Sequence, residues 1–298
     1  MTSAPAVDPA LIAACELVDL DPSDVRPLRE HGSAVYLLPR HEVFAKVNHR
    51  SDDRSRARTA VTVARWLVEE CSFPATAPTA VNQPVDLDNL GATVTFWRHY
   101  PQDGKPQPPS APLGSLLSKL HHLGDPPVQL EPYPPLHSLG ETVKESTWLS
   151  SSDQAWLLDR REDLIRQYAE LDSPLGNGMI HGDAYPGNTL WGPAEQVLMA
   201  DWDEVAYGPR ELDLANTFQG GVRFGRGSRE LQDFVDAYGH DPRQWDGFAV
   251  LVSMRDLHTL ASYIRLADRG DENVRRELSH RIGTLQSGDK TARWNARQ

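Results

Sequence analysis

The stretch MIHGDAYPGNTLWGPAEQVLMADWDEV, residues Met179–Val205, decides the fold and the chemistry of this chain of 298 residues. It places Asp183, Asn188 and Asp201 between short apolar runs. The dipeptides PG and GP within it are turn signals. The pattern therefore predicts a strand, a loop, a strand, a turn and a third strand, in a hairpin that brings Asn188 and Asp201 face to face.

Such a pair of oxygen donors suits Mg²⁺, which usually takes one or two protein carboxylates and completes its shell with waters and phosphates. Asp183, five residues before Asn188, is in a position to accept a proton from a hydroxyl group. Metal, positioning and one carboxylate are most of what phosphoryl transfer asks of a protein. HGD alone is weaker evidence because Asp and Gly are common turn residues, and a lone His181 is typical of a packing or hydrogen-bonding residue.

The segments HGDAYPGNTLW and MADWDEVAYGPRELDLA resemble the aminoglycoside phosphotransferase and choline kinase family, which has a protein-kinase-like fold. The resemblance covers about residues 30–285. It implies that Asp183 is the catalytic base, that Asn188 and Asp201 are Mg²⁺ ligands, and that His181 braces the loop.

Two further acids each have two interpretations. The resemblance implies that Asp213, in ELDLA, is a buried aspartate that supports the catalytic loop, whereas its place also suits an acid in the first turn of a helix. Asp203 either contacts the metal through water or caps a turn, and it is left out of the predicted metal set.

On the nucleotide side, Lys46 in VFAKV resembles the family's strand lysine, and Gly32 and Ser33 resemble its phosphate loop. Alternation predicts that Lys46 and Phe44 share one face of the strand. The other interpretation of Lys46 is an edge-strand lysine that discourages aggregation.

The family's lysine pairs with a glutamate in the following helix, and here the chain departs from the pattern. The expected position is near Ala60, in the acid-free run RARTAVTVARWL. Either a flanking acid (Asp52, Asp53, Glu69 or Glu70) reaches Lys46, or the lysine is held in another way, or the nucleotide site is altered.

Hydrophobic periodicity predicts an α+β fold with two lobes. Residues 1–100 are expected to form a small β-rich lobe, which the resemblance implies binds the nucleotide. Residues 101–298 are expected to form a larger, mainly helical lobe, which the resemblance implies carries the catalytic loop, the metal site and the acceptor site. The proline-rich segment Pro101–Pro112 separates them as a hinge. The predicted strands are Ala34–Leu38, Val43–Val47, Val85–Leu87 and Ala92–Trp97, and the predicted helices begin with one capped by Asp8-Pro9 and continue with Ser55–Glu70, Leu113–Leu123, Asp153–Leu171, Ser228–Tyr238, Trp245–Ala267 and Asn273–Leu285.

The formal net charge of −12 argues against nucleic acid as a partner. It is compatible with a cationic small-molecule substrate, but an acidic surface also simply keeps a protein soluble. No apolar run approaches the length of a membrane span, and no basic region opens the chain. We therefore expect no membrane partner and a cytoplasmic protein, with Cys15 and Cys71 reduced.

The resulting hypothesis is a Mg²⁺-dependent phosphotransferase that uses ATP or GTP and a hydroxyl of a small molecule. An aminoglycoside-like antibiotic, an amino alcohol and a sugar metabolite all remain open as acceptors. The resemblance implies that residues 207–229 and the helices beyond them contact the acceptor, where acids serve either a cationic acceptor or a solvated helix face: Glu230, Asp233, Asp236 and Asp256. The alternative is a catalytically impaired pseudokinase that binds nucleotide or a small ligand.

Overall fold

A computed structural model describes residues 7–29, 34–49 and 53–296, apart from the side chain of Asp53. The chain forms two compact units. The first comprises Met1–Pro108, His122–Glu131 and Gly187–Ala206, and the second comprises Pro109–His121, Pro132–Pro186 and Tyr207–Gln298. No helix within the described residues is long and apolar enough to cross a bilayer.

The first unit is built on a five-stranded antiparallel sheet with the order β1-β2-β3-β5-β4. Two helices and a separate two-stranded hairpin, β7–β8, complete this unit. Its elements are α1 (Pro9–Leu17), β1 (Arg26–Arg29), β2 (Ala34–Leu38), β3 (Val43–Asn48), α2 (Asp53–Glu69), β4 (Val85–Leu87), β5 (Ala92–Arg98), β7 (Thr189–Trp191) and β8 (Val197–Met199).

The β2–β3 hairpin forms where the sequence predicts it. A single turn of 3-10 helix, Pro39–His41, connects the strands, and Glu42 adopts a left-handed conformation after it. Val43, Ala45 and Val47 are buried on one face of β3, as the alternation requires. That face packs on α1, whose first turn is capped as predicted: the Asp8 carboxylate accepts a hydrogen bond of 2.9 Å from the Ala10 N–H.

The β7–β8 hairpin confirms the strand-turn-strand prediction for the second half of the opening stretch. Thr189 pairs with Met199 at one end and Trp191 with Val197 at the other. One step further, the Ala200 N–H donates to the Asn188 carbonyl at 2.9 Å. The ladder therefore brings the backbones of Asn188 and the residue before Asp201 together.

The second unit is mainly helical and contains one short two-stranded pairing, β6–β9. The helices turn their apolar residues inward to form the core, and most of α6 is buried. The elements are α3 (Ser110–His121), α4 (His137–Glu145), α5 (Ser151–Ala169), β6 (Asn177–Ile180), β9 (Ala206–Pro209), α6 (Leu212–Phe224), α7 (Ser228–Tyr238), α8 (Phe248–His258), α9 (Leu260–Asp268) and α10 (Glu272–Ser287).

Two sequence predictions in this unit were wrong in their bounds. The hinge was taken to run to Pro112, but α3 already begins at Ser110, because proline is tolerated in the first turn of a helix. The pattern over 245–267 predicted one helix, whereas α8 ends at His258 and α9 begins at Leu260. Between them the Thr259 hydroxyl donates to the Asp256 carbonyl at 2.9 Å, a local bond of the kind that bends helices.

Candidate functional site

The residue that follows the β7–β8 hairpin has an unusual backbone conformation. Asp201 lies in the left-handed region with φ 65° and ψ 65°, and a turn of 3-10 helix, Trp202–Glu204, begins directly after it. Asp is one of the few residue types that adopt this region at modest cost, since its short carboxylate can bond locally. Strain of this kind concentrates at functional sites. Asn188 lies at the start of the same hairpin, with only 8% of its surface exposed.

Lys46 extends from the opposite face of β3 to the buried valines and ends among acids. Its Nζ lies 2.7 Å from Asp201 Oδ1 and also forms an ion pair with Asp203, and its side chain is 13% exposed. Burial by itself lowers the pKa of the ammonium, but the attraction of Asp203 and Asp201 outweighs it and the net pKa is raised. Lys46 is therefore held as a cation.

These contacts show which acids pair with Lys46, given that α2 has no acid near Ala60. Among the described side chains, two carboxylates from the 3-10 turn region after β8 hold the lysine; Asp52 and the side chain of Asp53 lie outside the described residues. Asp203, left open between metal contact and turn capping, is in fact a partner of Lys46.

Near Lys46 and its two acids, helix α2 contributes a positive charge and not the negative charge that the family pattern expects. Arg56 Nη1 lies 3.3 Å from Glu204 Oε1, so the helix contributes a cation and the 3-10 turn contributes the acid. Ala60, where the family pattern expects a glutamate, is completely buried. A carboxylate there would have to be buried, which is costly without a partner.

In the second unit, the HGD turn is held by Asp213. Its Oδ2 accepts the His181 N–H at 2.7 Å and its Oδ1 accepts the Gly182 N–H at 2.8 Å. Gly182 has φ +81°, a conformation that favours glycine. Asp213 lies in the first turn of α6 and is completely buried. Both interpretations of this residue are therefore correct.

A third group, the imidazole of His121, also stabilises the negative charge of Asp213. His121 Nε2 lies 3.1 Å from Asp213 Oδ2, and His121 Nδ1 lies 2.9 Å from the Tyr238 hydroxyl. Burial alone raises the pKa of Asp213, but the hydrogen bond and charge of His121 and the contact with His181 outweigh it, so the net pKa is lowered. Asp213 is therefore held as a carboxylate.

His181 has the bracing position that the resemblance implies. Its side chain is completely buried, and its Nδ1 lies 3.3 Å from the Asp183 N–H. His181 thus links consecutive parts of the turn that carries Asp183.

The carboxylate of Asp183 is contacted by two residues that the sequence patterns did not single out. Arg255 Nη2 lies 2.6 Å from Asp183 Oδ1, and Asn216 Nδ2 donates to the same oxygen at 3.2 Å. Asn216 follows Asp213 by three residues on α6, a spacing that places both on one helix face and was visible in the sequence. Arg255 is 72 residues from Asp183 and had no local signal.

The acids considered for a cationic acceptor are mostly engaged within the protein. Asp256 is buried against Arg223 at 2.8 Å, and Glu230 forms an ion pair with Arg226. Asp233 and Asp236 lie on the exposed face of α7. For this exposed pair the solvated-face interpretation fits, whereas Asp256 belongs to the core.

The donors present fit the predicted ligands. Asn188 and Asp201 supply an amide oxygen and a carboxylate on one hairpin, the hard donors that Mg²⁺ prefers when phosphates and waters complete its shell. Lys46 is a cation, the kind of group that binds nucleotide phosphates in phosphotransferases. Gly32 and Ser33, predicted to lie over those phosphates, are outside the described residues.

Comparison with family models gives one match: residues 24–249 match the model described as the phosphotransferase enzyme family. The chain belongs to that family. The match covers the HGD turn, the β7–β8 hairpin and the segment around Asp213. A search of curated proteins found no match.

Solved structures confirm the protein-kinase-like α+β fold. An amicoumacin kinase in complex with AMP-PNP, Ca²⁺ and Ami has a TM-score of 0.73 at 13% identity, covering 97% of this chain and 96% of that one. A microcompartment-associated aminopropanol kinase has a TM-score of 0.66 at 16% identity, with 95% and 99% covered. A spectinomycin phosphotransferase in complex with ADP and spectinomycin has a TM-score of 0.62 at 16% identity, with 95% of each chain covered.

Proposed function

We propose that the protein transfers the γ-phosphoryl group of a nucleoside triphosphate to a hydroxyl of a small molecule. The hydroxyl oxygen attacks the γ-phosphorus and forms the new P–O bond. The bond from that phosphorus to the β,γ-bridging oxygen breaks, and its electron pair leaves with the nucleoside diphosphate. The hydroxyl proton passes to Asp183.

The observation that carries this proposal is the group of charges around Lys46. A cation held by Asp201 and Asp203 is ready to bind triphosphate oxygens, and the pairing lowers the cost of keeping it mostly buried. It also weakens the alternative of an impaired pseudokinase, because that alternative depended on a lysine without an acid to orient it.

Asn188 and Asp201 are the residues that would hold Mg²⁺ together with the nucleotide. Bound there, the ion would neutralise charge on the phosphates. The protein's own contribution is positional: the Ala200–Asn188 hydrogen bond of 2.9 Å fixes the hairpin that carries both side chains.

The acceptor class is proposed from the family and its related structures. The related structures are a kinase of an antibiotic, a phosphotransferase of another antibiotic and a kinase of an amino alcohol. We propose an acceptor of this kind, an aminoglycoside-like antibiotic, an amino alcohol or a sugar, with ATP or GTP as the donor.

The test is nucleotide binding by thermal shift, with ATP and GTP, each with and without Mg²⁺, because a ligand that binds only the folded state raises the melting temperature. We expect a rise that depends on Mg²⁺. Phosphoryl transfer is then screened over aminoglycosides, amino alcohols and sugars.

Two variants separate the roles. Asp183→Ala should abolish transfer and leave the nucleotide-induced shift nearly intact, whereas Asp201→Ala should reduce the shift itself. Full activity in Asp183→Ala would contradict its role as proton acceptor, and absence of a shift with both nucleotides would contradict the proposed function.

A further inference from the structure

A buried arginine holds the turn that carries Asp183. Arg255, on α8, has a side chain that is only 4% exposed. Its Nη2 donates to Asp183 Oδ1 at 2.6 Å, and its Nη1 donates to the Gly182 carbonyl at 3.3 Å. The two Nη groups of one rigid, planar guanidinium therefore hydrogen-bond both the carboxylate and the backbone next to it. This geometry constrains the rotation of the Asp183 side chain relative to its own turn.

The same carboxylate oxygen is contacted from α6. Asn216 donates to Asp183 Oδ1 at 3.2 Å, and Asp213, one turn earlier on that helix, binds the N–H groups of His181 and Gly182. Helix α6 thus holds the backbone of the turn, while α6 and α8 together hold its carboxylate.

We propose that Arg255 is a positioning residue that fixes the Asp183 carboxylate for proton acceptance from the acceptor hydroxyl. This inference rests on the proposed function, in which Asp183 receives that proton. The physical reason is that the reacting atoms must lie within contact range and aligned, and a misplacement of about 1 Å costs on the order of 100-fold in rate. A carboxylate held at one oxygen by two donors needs less reorganisation when the hydroxyl arrives.

The next residue along α8 distinguishes positioning from a merely structural role. Asp256 accepts two hydrogen bonds from Arg223 on α6, at 3.0 Å from Nε and 2.8 Å from Nη2. The Arg223 and Asp256 side chains are 5% and 7% exposed. This pair joins the same two helices with an arginine as buried as Arg255, and it supplies the matched control.

The experiment compares Arg255→Lys with Arg223→Lys. Both changes keep the charge and remove the bidentate geometry of the guanidinium. Each variant is measured for melting temperature and for kcat and KM of phosphoryl transfer from ATP, to an acceptor found in the screen or, if none is found, to water.

Arg255→Lys should lower kcat on the order of 100-fold. Its KM for the nucleotide should change by no more than about twofold, because the proposed role of Arg255 is to position the proton acceptor and not to bind the nucleotide. Arg223→Lys should lower the melting temperature by a similar amount, and its loss of kcat should be at least about tenfold smaller than that of Arg255→Lys.

Rescue by a small cation provides a second measurement. Guanidinium chloride at millimolar, non-denaturing concentration should restore part of kcat in Arg255→Ala, because the ion can occupy the space of the missing side chain. It should restore none in Asp183→Ala. Loss of stability alone predicts no rescue in either variant.

Stability tests the contact without any reaction. The destabilisations caused by Arg255→Met and Asp183→Asn should not add in the double variant, because the two groups are in direct contact. Additive values would overturn the proposal. A kcat of Arg255→Lys equal to that of wild type would overturn the positioning role and leave the proposed function standing. A wild-type protein that transfers phosphate neither to an acceptor nor to water would overturn both the positioning role and the proposed function.

Discussion

Replacing Asp213 by asparagine tests how much the HGD turn depends on one buried carboxylate. The carboxylate accepts the His181 N–H at 2.7 Å, the Gly182 N–H at 2.8 Å and His121 Nε2 at 3.1 Å, and it is completely buried. Asparagine has nearly the same shape but keeps one oxygen only. Its amide nitrogen must therefore face a donor, whichever way the side chain is turned.

The cost follows from the bonds that are lost. A hydrogen bond to a charged group contributes about 1.5–3 kcal/mol, and a buried donor left without a partner costs about 1–3 kcal/mol. We therefore expect Asp213→Asn to lower the free energy of unfolding by about 2–5 kcal/mol. For a unit of this size, each kcal/mol corresponds to about 2–4 °C, so the melting temperature should fall by at least about 4 °C.

Differential scanning calorimetry and urea unfolding at neutral pH measure this loss. Asp233→Asn, which changes an exposed acid on α7, is the control and should stay within about 0.5 kcal/mol of wild type. The loss of unfolding free energy in Asp213→Asn should also depend on pH differently from the loss in Asp233→Asn. Because the pKa of Asp213 is lowered from 3.8, its stabilisation is present above that pH and is lost as pH falls through the lowered value.

The difference in free energy of unfolding between wild type and Asp213→Asn should therefore shrink only in strong acid, where Asp213 of the wild type becomes protonated. A melting temperature for Asp213→Asn equal to that of the Asp233 control would refute the reasoning, because the turn would then be held by other contacts.

Two further predictions concern charge. Asp203→Asn should weaken Mg²⁺-nucleotide binding in the thermal-shift assay, because Lys46 loses one of the two acids that hold it; an unchanged shift would mean that Asp201 suffices. The pKa of His258 is lowered to about 4 by burial and by Arg255, so between about pH 6.5 and 4 the unfolded chain binds the extra proton and stability should fall as pH falls, by up to about 1.4 kcal/mol per pH unit. His258→Gln should flatten that slope in urea titrations, and an identical slope would contradict the assignment.

Local patterns in the sequence were sufficient for much of the fold. The β2–β3 hairpin, α2, α7 and the three short strands of the opening stretch lie where alternation, helical spacing and turn residues predict them. These signals are local because side-chain period and backbone turn preference act within a few residues. The same signals did not predict α4 and α6, and they did not show the break at Thr259, where one side-chain hydrogen bond divides a continuous apolar stripe.

Asp183, Asn188 and Asp201 could be chosen as candidate residues from the sequence because all three lie in one short stretch whose turns can be recognised, and their roles stay predictions. The roles proposed for them depend on partners far away in the chain. Lys46 meets Asp201 across 155 residues, and Arg255 meets Asp183 across 72.

A buried charge must have a partner, and the sequence makes that requirement visible at Lys46. It does not say which partner, because any acid that packing brings within about 4 Å satisfies the requirement equally well. The family pattern pointed to a glutamate in α2, and the helix instead contributes Arg56 to Glu204, while the 3-10 turn region after β8 supplies the acids. The sequence by itself determined that this site needs opposite charges, and only the tertiary packing decided which side chains provide them.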